Sequence, residues 1–67
     1  MFIIQSGNDY YMGGSYEFDK QRIPYTIPYI EKAKKFNHES VAKQIANTIN
    51  GYQKGMPEFV VVEVQDV

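Results

Sequence analysis

His38 is the one imidazole in the chain, and its sequence neighbour Glu39 is the nearest carboxylate that could orient it. On a helix two adjacent residues point about 100° apart, so the pair does not converge on a substrate atom. No cysteine is present and no His-x-x-x-His spacing occurs, which leaves a metal without its usual ligand set. Glu17 and Asp19 would share one face of a strand and could divide acid and base roles. A domain this small offers little concavity in which burial would separate their pKa values. Phosphate loops, hydrolase elbows and calcium loops all lack their residues. The expectation is a protein with no catalytic residue, no metal ligand and no cofactor, and therefore not an enzyme.

Two other residue sets point to binding. Tyr10, Tyr11, Tyr25 and Tyr29, with Phe59 and Val61, combine large rigid contact areas with polar tips, a composition enriched at protein interfaces. Lys20, Arg22, Lys32, Lys34 and Lys35 would line one basic edge, and tyrosines on an open sheet can stack bases. Glu17, Asp19 and Glu31 interleave with those cations, and the whole chain carries a net charge of −1. Bulk electrostatics therefore supplies no strong pull toward nucleic acid or an anionic membrane.

The elements that must position these residues follow from periodicity and turn chemistry. Phe2-Ile-Ile-Gln5 and Tyr10-Tyr-Met12 read as strands joined at Ser6-Gly-Asn-Asp9, with Gly13-Gly14 marking a bulge before Tyr16-Glu-Phe18. This hairpin covers 1–18. A proline-containing connection over 19–32 follows, because Pro24 and Pro28 exclude a helix and a central strand. A short strand at 33–36 is expected to reach the sheet edge. The helix spans 37–50, with Asn37 as N-cap, Phe36 and Val41 as a hydrophobic staple, and Gly51 as the left-handed stop. A closing strand covers 58–65, and its Val60, Val62 and Val64 row is expected to meet the helix.

These parts make one α+β domain over 1–67: a small antiparallel sheet of three to four strands packed on one main helix. A single helix covers only one face of a sheet. The other face, carrying Ile3, Phe59 and Val61, must be covered by the 19–29 segment, by a partner protein, or by a second copy in a homodimer. Sixty-seven residues without a disulfide leave a small stability margin, so such help would matter. Phe59 to Val62 is far too short to cross a bilayer, and Met1-Phe-Ile-Ile is followed at once by polar residues instead of a longer apolar leader. A cytoplasmic location with no membrane partner is expected.

Tyr10-Tyr-Met-Gly13, Tyr29-Ile-Glu-Lys-Ala-Lys-Lys-Phe36, Val41-Ala-Lys-Gln-Ile-Ala46 and Val60-Val-Val-Glu-Val64 together resemble short accessory proteins of phages and prophages of Gram-positive bacteria. Those show a tyrosine-rich hairpin, an Ile-Glu-x-Ala-Lys-x-Phe step, one helix and a Val-rich closing strand. The 19–28 stretch is longer and richer in proline than that pattern. The resemblance implies a host bacterial cytoplasm and a role in contact with a host or phage protein, as an inhibitor or regulator, for instance of a defence nuclease. It transfers no functional residue. The alternatives are a nucleic-acid-binding module and, third, a dimeric sequestering protein for a small nucleotide signal.

Overall fold

The computed structural model describes residues 1–65; residues 66 and 67 of the expected domain lie outside it. The chain reverses twice at two-residue loops. β1 (Phe2–Ser6) and β2 (Asp9–Phe18) meet at Gly7-Asn8, where Gly7 has φ 60°, in the manner of a type II′ turn with glycine first. A Cβ on Gly7 would also stand 3.2 Å from the Pro57 ring. β2 and β3 (Gln21–Ile27) meet at Asp19-Lys20, both at positive φ, 52° and 65°, as a type I′ turn demands. Lysine fits this conformation poorly. Lys20→Gly relieves left-handed strain of about 1–2 kcal/mol and loses part of that to chain entropy, so a net gain of about 0.5–1 kcal/mol is expected. A calorimetric melting temperature that does not rise would contradict it.

The 19–32 segment is therefore not a connection: most of it is a strand. β3 lies at one edge of a four-stranded sheet ordered β3-β2-β1-β4. Pro24 is accommodated because Phe18 and Gln21 close the loop, and alternation from that pair points the missing Pro24 N–H outward, away from β2. The proline that excludes a central strand is compatible with an edge, and blunts it. Between the pairs Tyr11–Thr26 and Ser15–Pro24, Met12-Gly13-Gly14 stand opposite Tyr25 alone. Gly13 and Gly14 take φ 97° and 81°, so the glycine pair makes the bulge expected of it.

Residues 33–36 do not form a strand at the sheet edge. After a 3-10 turn at Ile30–Lys32 the chain enters the gap where β1 and β2 diverge. The Lys34 N–H donates to the Tyr11 carbonyl (2.8 Å), and Phe36 and Phe2 exchange backbone bonds of 2.8 and 2.9 Å. Only Phe2–Phe36 forms a bridge. That bridge also delays the helix. With Phe36 held in extended pairing, Asn37 and His38 make the turn, and α1 runs Glu39–Tyr52 with an extended His38 as N-cap and no side-chain cap bond. Val41 is exposed and forms no buried staple. Gly51 does not stop the helix, because the Gln53 N–H still reaches the Ile49 carbonyl at 2.8 Å while Tyr52 packs on the core.

The core joins Ala42, Ala46 and Ile49 of α1 to Ile4, Phe36 and Phe59, with Phe2, Tyr11, Ile45, Tyr52, Met56 and Val61 packed around them. The closing strand β4 (Phe59–Glu63) is shorter than 58–65, and its faces are opposite to those expected. Phe59 is 3% exposed and Val60 is 45% exposed. Register explains this: Ile4 pairs with Val61 and Ser6 with Phe59, so the β1 residues that face the helix carry Phe59 and Val61 to the same side. Ser6 is buried and donates its hydroxyl to the Pro57 carbonyl at 2.7 Å, which ties the turn before β4 to β1.

Candidate functional site

Cross-strand partners share a face, so the register assigns every strand position to the helix side or the opposite side. Tyr11 and Thr26, Ser15 and Pro24, and Glu17 and Arg22 fall on the helix side. Ile3, Gln5, Tyr10, Met12, Tyr16, Phe18, Gln21, Ile23, Tyr25, Ile27, Val60 and Val62 fall on the other by pairing and alternation. None of these is charged, and only the two glutamines are strongly polar. Every Lys, Arg, Asp and Glu of the four strands projects from the helix side.

Much of this face is open. Phe18 is 69%, Tyr25 44% and Tyr16 42% exposed, and Met12 and Val60 are also exposed. The Tyr16 and Tyr25 ring centroids lie 5.0 Å apart with the planes tilted by 34°, within aromatic contact. Met12, Tyr16, Phe18 and Tyr25 together present on the order of 400 Å² of largely apolar surface along the β2–β3 ribbon, taking about 200 Å² for each large side chain, with Val60 apart from them on β4; a monomer's largest patch is typically 300–600 Å². The 19–29 segment does not cover the face, because β3 is itself part of the sheet. Only the end near Ile3 is sheltered, where Ile3 shares a hollow of about 190 Å³ with Ile30, Glu31, Lys35 and Val64.

The expected partner-binding residues divide accordingly. Tyr10 and Tyr25 lie on the open face, and Tyr29 is exposed just beyond β3. Phe59, Val61 and Tyr11 belong to the helix-side packing, so they are not an uncovered surface. Met12, Tyr16, Phe18 and Val60 take their place. Sequence reasoning passed over Tyr16 and Phe18 because their face depends on the number of residues in the glycine bulge.

The basic set does not form one edge. Lys20 occupies the β2–β3 loop, Arg22 reaches back over the Tyr52 ring at 5.6 Å from its centroid, Lys34 lies beside Gly13, and Lys35 borders the Ile3 hollow. Asp19, in the loop, no longer shares a strand face with Glu17. Among the described residues no three His, Cys, Asp or Glu side chains come close enough to hold a metal ion, and no helix is long and apolar enough to cross a membrane. No protein-family model matches the chain, and no curated protein and no solved structure is detectably similar to it.

Asn50, a polar residue near the end of α1, takes a structural role beside β4. Its amide donates to the Phe59 carbonyl at 2.9 Å and accepts from the Phe59 N–H at 2.8 Å, as a neighbouring strand would. Met1 and Val64 exchange backbone bonds on the β1 side, so alternation turns the Phe59, Val61 and Glu63 groups outward. Asn50 closes that edge at Phe59. With Pro24 blunting β3, each sheet edge is interrupted at one position, and the open face offers an apolar surface for contact.

Proposed function

We propose that this chain is a small non-enzymatic binding protein that acts by protein–protein contact through the sheet face opposite α1. The observation that carries this is a face whose strand residues are all uncharged, with Met12, Tyr16, Phe18, Tyr25 and Val60 in the open and Glu31 and Lys35 bordering only its Ile3 end. A contact there desolvates no ion, and rigid tyrosines lose little side-chain entropy on binding. The matching partner is a folded protein with an uncharged, apolar patch. Resemblance to phage and prophage accessory proteins makes that partner a bacterial host protein, inhibited or regulated by the contact. The nucleic-acid alternative loses ground on this reading, since phosphates need cations beside the stacking rings and the strand residues of this face supply none.

The test compares wild-type protein with Tyr16→Asp/Tyr25→Asp as bait in a bacterial lysate, alongside sedimentation of each protein alone. A specific protein retained by wild type and lost by the charged pair, at unchanged circular dichroism, is the expected result. Equal retention by both baits would sink the reading. Wild-type dimers that the charged pair dissolves, with no other protein retained, would assign the face to a second copy instead of a host partner.

A further inference from the structure

On the opposite side of the sheet, the β2–β3 ribbon and α1 leave a cleft of about 410 Å³, within the range of small-molecule sites. Its floor is apolar, from Ile45 and the Tyr11 and Tyr52 rings, and its rim carries Ser15, Arg22 and Gln44. No acidic side chain lines it. The rim is rich in donors. Tyr11 Oη accepts the Gly14 N–H at 3.0 Å, which leaves its own proton free to donate. Burial pushes the Tyr52 phenol up, with Tyr11 adding to the effect and Arg22 opposing it, so Tyr52 too remains a neutral donor near pH 7.

Arg22 is the deciding group. Among the described residues the only ion pair is Lys43–Glu39, so the Arg22 guanidinium has no carboxylate partner although Glu17 is its cross-strand neighbour. Its described contact is the Tyr52 ring, which orients the planar fork over the cleft. A guanidinium so placed matches a carboxylate or phosphate bidentately, and the flanking aromatic and aliphatic walls match a flat ring.

We propose that this cleft binds a small anion carrying an aromatic ring, with Arg22 on the anionic group and the ring between Tyr52 and Ile45. The site is independent of the partner face, which lies on the other side of the same ribbon. Amide chemical shifts of the full chain are followed while benzoate or adenosine monophosphate is added, with benzamide, adenosine and inorganic phosphate as controls. The expected result is saturable movement of Arg22, Ile45 and Tyr52 signals by at least one ring-bearing anion. Its neutral counterpart and inorganic phosphate bind at least tenfold more weakly.

Arg22→Gln is expected to weaken that binding at least tenfold with the remaining spectrum unchanged. Gln44→Glu, on the exposed side of α1, brings a negative charge to the rim and is expected to do the same. No saturable shift with either anion at millimolar concentration would overturn the proposal. So would equal binding of the neutral compounds or of inorganic phosphate, or binding undiminished in both variants.

Discussion

Phe59→Ala is expected to cost about 3–5 kcal/mol, as truncation of a fully buried aromatic does, whereas Val60→Ala, one residue away, costs less than about 1 kcal/mol. At 0.05–0.15 kcal/mol per residue the whole chain has only about 3–10 kcal/mol to lose. The first variant should therefore be substantially unfolded and the second nearly native. Phe59 is enclosed by Ile4, Ala42, Ala46 and Ile49, and the short helical side chains cannot move in to fill the space it leaves. Val60 lies on the open face opposite Gln5 and gives up only strand propensity and partial burial. Urea unfolding followed by circular dichroism separates the two. A larger loss for Val60→Ala would mean that the valine row meets the helix after all.

Asn50→Ala is the second change with a large expected effect, about 1–3 kcal/mol, because it leaves both the N–H and the carbonyl of Phe59 without their partner in a half-buried setting. Asn47→Ala, one helical turn earlier and exposed, should stay within about 0.5 kcal/mol. Asn50→Asp divides the two bonds: the carboxylate still accepts from the Phe59 N–H but repels the Phe59 carbonyl. That repulsion raises the new carboxyl's pKa in the folded state, so the variant should be most stable at acid pH and lose stability as pH rises through the carboxylate range. Asn50→Ala also uncovers the β4 edge at Phe59, and sedimentation should show more concentration-dependent association than wild type does. An Asn50→Ala protein as stable as Asn47→Ala would show that the amide bridge contributes nothing.

Both predictions concern places where local pattern and tertiary structure part company. Val60, Val61 and Val62 are the same residue on both parities of one strand, so alternation carries no information about which parity is buried. The decision falls to Phe59, whose ring fills the core, and to the register with β1, which is non-local. Asn50 is similar. A polar residue near a helix end reads as solvated until the β4 backbone is seen to arrive beside it.

The helix start was misread for a related reason. Asn37 is a good cap by type, but Phe36 is held by its backbone bonds to Phe2, and the chain uses Asn37 and an extended His38 to turn from that pairing into the helix at Glu39. The proline segment was legible only as an exclusion. Pro24 rules out a central strand, yet nothing local says that the strand beside it has an edge free.

What the sequence determined by itself is what short-range physics decides: the α+β class, the hairpin at Gly7, the bulge at Gly13-Gly14, one amphipathic helix and the absence of local catalytic motifs. φ preference, hydrophobic period and ligand spacing are properties of neighbouring residues, so they can be read before folding. The tertiary structure alone decided which side of each strand is buried, that Pro24 and Asn50 each interrupt a sheet edge, that the strand residues of the open face are uncharged, and that Arg22 overhangs a cleft. Each of these depends on which distant residues pair. With a side-chain period of two, one residue of register exchanges the two faces of a strand.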